Sequence, residues 1–209
     1  MSNELERRNV INQRGVAKIE TREDGKQHCV GYSAVFYRAD VDGTQFKLWD
    51  NVYERIMPGA FDEIAKDDVR ALFNHNASFI LGRNVSGTLK LDVDDVGLRY
   101  DITLPDTQTA RDLIEVVNRG DVSGSSFAFI AVADRWTRET VNEVEREVRE
   151  VLTVRTMDVG PVTYPAYTAT TTDVANRSLD EHQTEQGRAQ LNNLRRRAKV
   201  QRLRAHNLD

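Results

Sequence analysis

The alternation of apolar and polar positions predicts that strands predominate in this chain. The segment 27–37 has apolar residues on both faces, which is typical of a strand buried on both sides. Further short strands are predicted at 45–49, 69–73, 88–92 and 97–104. A helical stripe covers 110–117, with Asp106 as the expected N-cap and Gly120 as the C-terminal stop. The pattern therefore indicates an α+β, mainly β protein with few helices.

One segment is ambiguous between the two periodicities. Val141, Val144 and Val148 keep helical spacing, whereas the β-branched residues of 148–154 favour a strand. We interpret this segment as one arm of a long hairpin. The residues 155–165, which include two prolines, are expected to end the core at an edge or a turn.

The pattern divides the chain into three parts. Residues 1–26 are polar and are expected to form a leader that enters a first strand near Gly15, residues 27–170 form the core domain, and residues 171–209 form a linker and a basic tail. The net charge of −4 is unevenly distributed, because residues 188–204 contain basic but no acidic residues. The basic residues are Arg188, Arg195, Arg196, Arg197, Lys199, Arg202 and Arg204. This tail suits docking on an acidic protein or nucleic acid, and a solvated helix explains it equally well.

The composition excludes several classes of protein. A content of 39% hydrophobic and 30% charged residues is typical of a soluble globular domain, and no apolar run reaches membrane-spanning length. The N-terminus has charges of both signs and no apolar core, so a cytoplasmic protein without a secretory signal is expected. The single cysteine, Cys29, lies in an apolar strand and suits a small buried side chain. No glycine-rich phosphate loop, metalloprotease motif or cysteine cluster is present, so neither a cofactor nor a metal is indicated.

The segment 121–129 is the strongest candidate for chemistry. Ser123, Ser125 and Ser126 lead into an alternating apolar strand, where a hydroxyl can face a cleft. A simple Ser/Gly turn before a strand explains these residues just as directly. A serine nucleophile also requires a neighbouring base to take its proton.

Among the four histidines, His28 is expected on a strand surface. His75 is best placed to act as that base, because it follows a predicted strand. Asp158, near the end of the last core segment, is a candidate to orient the imidazole. The segment around Ser126 lacks the G-x-S-x-G signature, and the order His75, Ser126, Asp158 differs from those of chymotrypsin, subtilisin and the α/β-hydrolases. Because a catalytic triad is recognised by its geometry, these differences do not exclude a serine hydrolase.

Five sequence blocks, in order, resemble the prohead proteases of tailed bacteriophages, which share a fold with the herpesvirus capsid-maturation proteases. The blocks lie between residues 30 and 167 and are GYSAVF (31–36), IMPGAF (56–61), LFNHN (72–76) followed by LGR (81–83), RGDVSGSSFAF (119–129) and DVGPVTYPAY (158–167). The resemblance implies a β-barrel-like core of mostly antiparallel strands surrounded by helices.

The resemblance also implies the site residues. The family's histidine corresponds to His75, and its nucleophile, the serine directly before phenylalanine, corresponds to Ser126, with Ser123 and Ser125 as alternatives. The third residue corresponds to Asp158, where the family usually has glutamate. Two further departures are Ala128 in place of glycine and Gly160 in place of serine.

The function implied is a serine endopeptidase that removes the scaffolding segment of the major capsid protein, and cuts itself, inside the immature prohead in the host cytoplasm. Its expected partners are the capsid protein, the portal or prohead shell and further copies of itself, with no membrane and no cofactor. Two alternatives stay open. One is a catalytically inactive capsid- or scaffold-associated protein of the same fold. The other, less favoured because the tail has no aromatic residue to stack on bases, is a nucleic-acid-binding protein.

Overall fold

A computed structural model describes residues 4–10 and 15–164, together with 175, 178–180, 182–185 and 187–189 nearer the C-terminus. The described helices include α1 (Gln108–Asn118) and the short 3₁₀-helices Ile64–Lys66 and Phe73–His75. The strands of the described residues are β1 (Glu6–Val10), β2 (Lys18–Thr21), β3 (Gln27–Val35), β4 (Gln45–Trp49), β5 (Val52–Ile56), β6 (Arg70–Leu72), β7 (Ile80–Arg83), β8 (Leu89–Val93), β9 (Gly97–Thr103), β10 (Gly124–Val141) and β11 (Val144–Val162). The predicted linker at 168–173 and most of the predicted basic tail lie outside the described residues.

The strands form two sheets. The larger has the order β1-β10-β11-β5-β4, with β6 added on β11 and β7 on β6, and the smaller has the order β2-β3-β9-β8. Strand β11 pairs in parallel with β5 and β6, and the other pairings are antiparallel. The predicted mainly β, antiparallel-rich fold is therefore confirmed. The relation to the herpesvirus proteases stays a prediction.

The hydrophobic core draws side chains from both sheets and from α1. Phe127 and Phe129 of β10 stack with ring centroids 4.7 Å apart, and Phe61 meets Phe127 edge-on at 5.6 Å. These side chains are fully or almost fully buried, as are Tyr100 and Ile102 of β9. The start of β10 is thus held by aromatic packing on the face opposite to Ser126.

The hairpin of β10 and β11 is the longest feature of the fold. Its strands pair from Gly124 opposite Val162 to the two-residue turn at Asn142 and Glu143, whose positive φ angles suit a hairpin turn. The hairpin predicted from the ambiguous valine spacing is confirmed. Pro161 lies inside β11, beyond the last residue that pairs with β6, so its missing N–H removes no bond to β6.

Two local predictions need correction. The N-cap of α1 is Thr107, whose Oγ1 accepts a hydrogen bond from the backbone N–H of Ala110 at 3.3 Å, and not Asp106. The Asp106 carboxylate instead pairs with Arg111 on the exposed surface. His28, expected on a strand surface, is buried on β3 and bonded to Asp101.

Residues 6–10, assigned to the leader from the sequence, form β1 and are fixed by a buried ion cluster. Glu6 and Arg8 meet Glu54 of β5 and Arg149 of β11, and all four are at most 4% exposed. Arg149 donates to Glu6 at 2.6 and 3.0 Å, to Glu54 at 3.0 Å and to Asp134 at 2.6 Å. Burial, together with the nearby Glu54 carboxylate, raises the pKa of Glu6. These ion pairs connect β1 to β5 and β11, and removing one partner would leave a buried charge uncompensated.

Candidate active site

The start of β10 presents Ser126 on a polar face of the sheet. Ser126 lies opposite Asn9 of β1 and Gly160 of β11, and Ala128 lies opposite Arg7 and Asp158. Directly opposed residues of a sheet point to the same face. Arg7, Asn9, Ser126 and Asp158 therefore share one face.

The other two candidate serines are placed elsewhere. Ser125 points to the opposite face, where its hydroxyl lies 2.7 Å from that of Tyr100. Ser123 is exposed in the loop before β10, and its carbonyl accepts a bond from Ala17. Of the three serines, Ser126 alone is hydrogen-bonded to a histidine among the described residues.

His75 ends the 3₁₀-turn that follows β6, and its backbone conformation is unusual. Both Asn74 (φ 55°) and His75 (φ 54°) are in the left-handed region, which asparagine tolerates better than most residues. The side chain of Asn74 fastens this turn to the end of β11. Its Oδ1 accepts from the backbone N–H of Thr163 at 2.8 Å, and its Nδ2 donates to the Thr163 hydroxyl at 3.1 Å. The turn thereby holds the imidazole over the polar face of the sheet.

Asp158, His75 and Ser126 form a continuous hydrogen-bonded series. The Nδ1–H of His75 donates to Oδ1 of Asp158, and the Nε2 of His75 lies 2.6 Å from Oγ of Ser126. An ionised carboxylate only accepts hydrogen bonds, so Nδ1 carries the imidazole proton and Nε2 is free to accept one. The structure thus brings together the three site residues predicted from the sequence, in an arrangement able to take a proton from a serine.

The serine hydroxyl has a second acceptor close by. The carbonyl oxygen of Arg8 on β1 lies 2.8 Å from Oγ of Ser126, and Ser126 has no exposed surface. A single hydroxyl proton is therefore shared between the Arg8 carbonyl and His75. Substrate has to approach from the side of His75, which remains partly exposed.

A cavity of about 300 Å³ opens beside His75. It is lined by Arg7, Asn9, Asn74, His75, Val162, Thr163 and Tyr164. It therefore joins β1, the histidine turn and the end of β11. Its volume suits a side chain or a short peptide segment.

Comparison with known families identifies the chain. The family model described as caudovirus prohead serine protease matches residues 16–185, which is most of the sequence. The chain belongs to this family. No curated protein and no solved structure matches it significantly. Membership in the caudovirus prohead serine proteases implies a serine peptidase of phage capsid maturation that acts in the prohead.

The structure accounts for the departures from the expected prohead protease motifs. A Cβ atom at Gly160 would lie 2.2 Å from the carbonyl oxygen of Leu72, because β6 approaches β11 closely there, so the serine expected at this position has no room. The aspartate at 158 reaches His75 despite being shorter than glutamate. Ala128 is fully buried on β10, where it lies opposite Arg7 of β1 and Asp158 of β11.

A second His–Asp pair provides a useful contrast within this prohead protease. His28 Nδ1 lies 2.7 Å from Oδ1 of Asp101, whose other oxygen accepts from Arg22. Burial alone would raise the pKa of Asp101, but the bonds from His28 and Arg22 lower it. No serine hydroxyl within the described part of the chain bonds to His28, so this pair lacks the geometry for nucleophile activation.

Sequence reasoning missed the contribution of β1. The segment Glu6–Val10 has mostly polar residues, so it gives no apolar signal, although it supplies Arg7, Asn9 and the Arg8 carbonyl to the site. Its charges are buried because they pair with distant residues, and a single sequence does not show that pairing. The described residues contain no group of three or more His, Cys, Asp or Glu side chains able to hold a metal ion. No helix among them is long and apolar enough to span a membrane.

Proposed function

We propose that the chain is the endopeptidase that cuts the scaffolding segment from the major capsid protein, with Ser126 as nucleophile, His75 as general base and Asp158 as the orienting carboxylate. The observation that supports this most directly is the hydrogen-bonded series from Asp158 through His75 to Ser126. Family membership supplies the reaction class.

In the proposed mechanism, Nε2 of His75 takes the hydroxyl proton as Oγ of Ser126 attacks the scissile carbonyl carbon. The Asp158 carboxylate stabilises the imidazolium that forms and keeps Nδ1 protonated. The imidazolium then gives its proton to the leaving amine as the C–N bond breaks, which leaves an acyl-enzyme. A water molecule, deprotonated by His75, hydrolyses the ester and regenerates Ser126.

Self-cleavage, self-association and contact with the portal or prohead shell belong to the same proposal. The predicted linker at 168–173 and the charge change beyond it suggest that the basic tail is removed by self-cleavage. Intact-mass analysis of the protein from mature particles tests this. A mass that still includes Arg204 would contradict removal of the tail.

Co-expression with the capsid protein of the same phage tests the main proposal. Wild-type protein should convert the capsid protein to a shorter product whose N-terminal sequence defines the cut, and Ser126→Ala should abolish the conversion. Ser123→Ala is the matched control, because Ser123 is exposed and makes no side-chain contact with His75. Undiminished processing by Ser126→Ala would refute the assignment.

The alternative of an inactive, scaffold-associated protein makes the opposite prediction in the same experiment. Wild type and Ser126→Ala would then leave the capsid protein uncut while both still associate with it. Circular dichroism of both proteins shows that the comparison is made between folded chains.

A further inference from the structure

Arg7 is a charged side chain on the same polar face as Ser126, and it has no role in the proposed mechanism. It lies on β1 two residues before Asn9, so it points to the same face as Ser126. Together with His75 it lines the cavity at the candidate site. A cationic group therefore lies next to the place where the substrate has to bind.

The guanidinium of Arg7 has no counter-ion among the described residues. Its Nε is buried without a hydrogen-bond partner, and no carboxylate of the described residues forms an ion pair with it. The neighbouring Arg8, by contrast, is bonded to both Glu6 and Glu54. Since Arg7 lines the open cavity and no carboxylate of the described residues pairs with it, a ligand in the cavity can supply the counter-ion.

None of the described residues that line the cavity accepts a hydrogen bond from the Nε of Arg7. Both polar side-chain atoms of Asn74 are engaged with Thr163. Val162 offers no polar side-chain group, and the carboxylate nearest in the series, Asp158, is bonded to His75. The cavity therefore offers a positive charge to whatever enters it.

Resting on the function proposed above, we propose that Arg7 is a specificity-determining residue that binds the carboxylate of an aspartate or glutamate side chain close to the scissile bond of the substrate. A guanidinium pairs with a carboxylate through two parallel hydrogen bonds, so it selects for this group by geometry as well as by charge. The acidic side chain would occupy the cavity while the peptide backbone passes His75.

Digestion of a synthetic peptide library, made with C-terminal amides and free Asp and Glu side chains, tests this proposal. Mass spectrometry of the products should show Asp or Glu enriched at one fixed position beside the cut for the wild-type protein. Amidation removes terminal carboxylates, so any selection for a terminal carboxylate appears only in a parallel digest of unamidated peptides. Enrichment seen only in that parallel digest would overturn the proposal.

Arg7→Gln and Arg7→Glu then test the residue. For a pair of peptides that differ only by Glu or Gln at the selected position, Arg7→Gln should lower kcat/KM on the glutamate peptide by roughly 10- to 100-fold and remove the preference. Arg7→Glu should reverse the preference towards Lys or Arg. Arg111→Gln, an exposed arginine of α1, is the matched control and should keep the wild-type preference.

The outcomes separate this proposal from the function on which it rests. Cleavage without acidic enrichment, or an equal loss on both peptides in Arg7→Gln, overturns the role of Arg7 and leaves the peptidase assignment intact. If wild-type protein cuts neither the library nor the capsid protein, the proposed function itself fails, and the role of Arg7 fails with it.

Discussion

Replacing Asp158 with asparagine should reduce kcat by about three to four orders of magnitude while the fold is retained. The substitution keeps the shape of the side chain and removes its charge. The carboxylate contacts His75 directly, and the two side chains are only 10% and 11% exposed. For unit charges about 4 Å apart at an effective dielectric constant of about 20, the interaction is roughly 4 kcal/mol. This stabilisation of the imidazolium corresponds to about three decades in rate.

The proton position adds to this effect. The asparagine amide can donate to Nδ1, which favours the imidazole with its proton on Nε2, the atom that has to accept the proton of Ser126. The same substitution in the Ser-His-Asp triad of chymotrypsin-like proteases lowers kcat by about 10⁴. The two contributions overlap, so we expect a loss of about 10³ to 10⁴.

Single-turnover cleavage of the capsid protein, followed by gel electrophoresis, measures the chemical step separately from product release. Asp101→Asn is the matched control, since it makes the same change in the other buried His–Asp pair. It should lower thermal stability and leave the rate of cleavage unchanged. Retention of more than about a tenth of the wild-type rate by Asp158→Asn, or an equal loss in Asp101→Asn, would refute the orienting role that we assign to Asp158.

Three further predictions concern stability. Arg149→Met leaves two buried carboxylates facing one guanidinium, so the free energy of unfolding should fall by about 3–5 kcal/mol; thermal denaturation should show a Tm lower by on the order of 10 °C, and an unchanged Tm would contradict the buried cluster. Burial, offset only in part by the hydrogen bond with Tyr100, raises the pKa of Cys29 from 9.0 to about 12. The stabilisation from the buried neutral thiol is therefore complete below pH 9 and is lost as the pH rises towards 12. In urea titrations, the free energy of unfolding of the wild type should be about 1.4 kcal/mol lower at pH 10 than at pH 7.5, beyond any decrease seen in Cys29→Ala. An equal decrease in both proteins would exclude this thiol as the cause. Gly160→Ala should lower the Tm and the cleavage rate together, because its methyl group would collide with the Leu72 carbonyl and push the strand before His75 away from β11; wild-type values for both would refute the steric argument.

The parts of the fold that follow from local pattern were predictable, and those that depend on distant pairing were not. The alternation in 45–49 and 97–104 gave β4 and β9 almost to the residue. His75, Ser126 and Asp158 were singled out because each lies in a short motif beside a strand. Their contact, by contrast, depends on the register of β10 and β11 and on the left-handed turn at Asn74, neither of which a single sequence encodes visibly.

Strand β1 shows most clearly which features a single sequence does not reveal. Burial of charged residues contradicts the usual preference for apolar interiors, so Glu6 and Arg8 resemble an exposed leader in the sequence. They become interior residues only because Glu54 and Arg149 lie opposite to them. The N-cap of α1 is a smaller case, since Asp106 is suitable by residue type but Thr107 makes the capping hydrogen bond.

The order of the site residues along the chain has a consequence for synthesis. The Arg8 carbonyl and the Ser126 hydroxyl are 118 positions apart, and His75 and Asp158 are 83 positions apart. Translation releases β1 and the histidine turn long before the strand that carries Asp158 leaves the ribosome. Under the proposed mechanism, a nascent chain has no working nucleophile until almost all of β11 has been made.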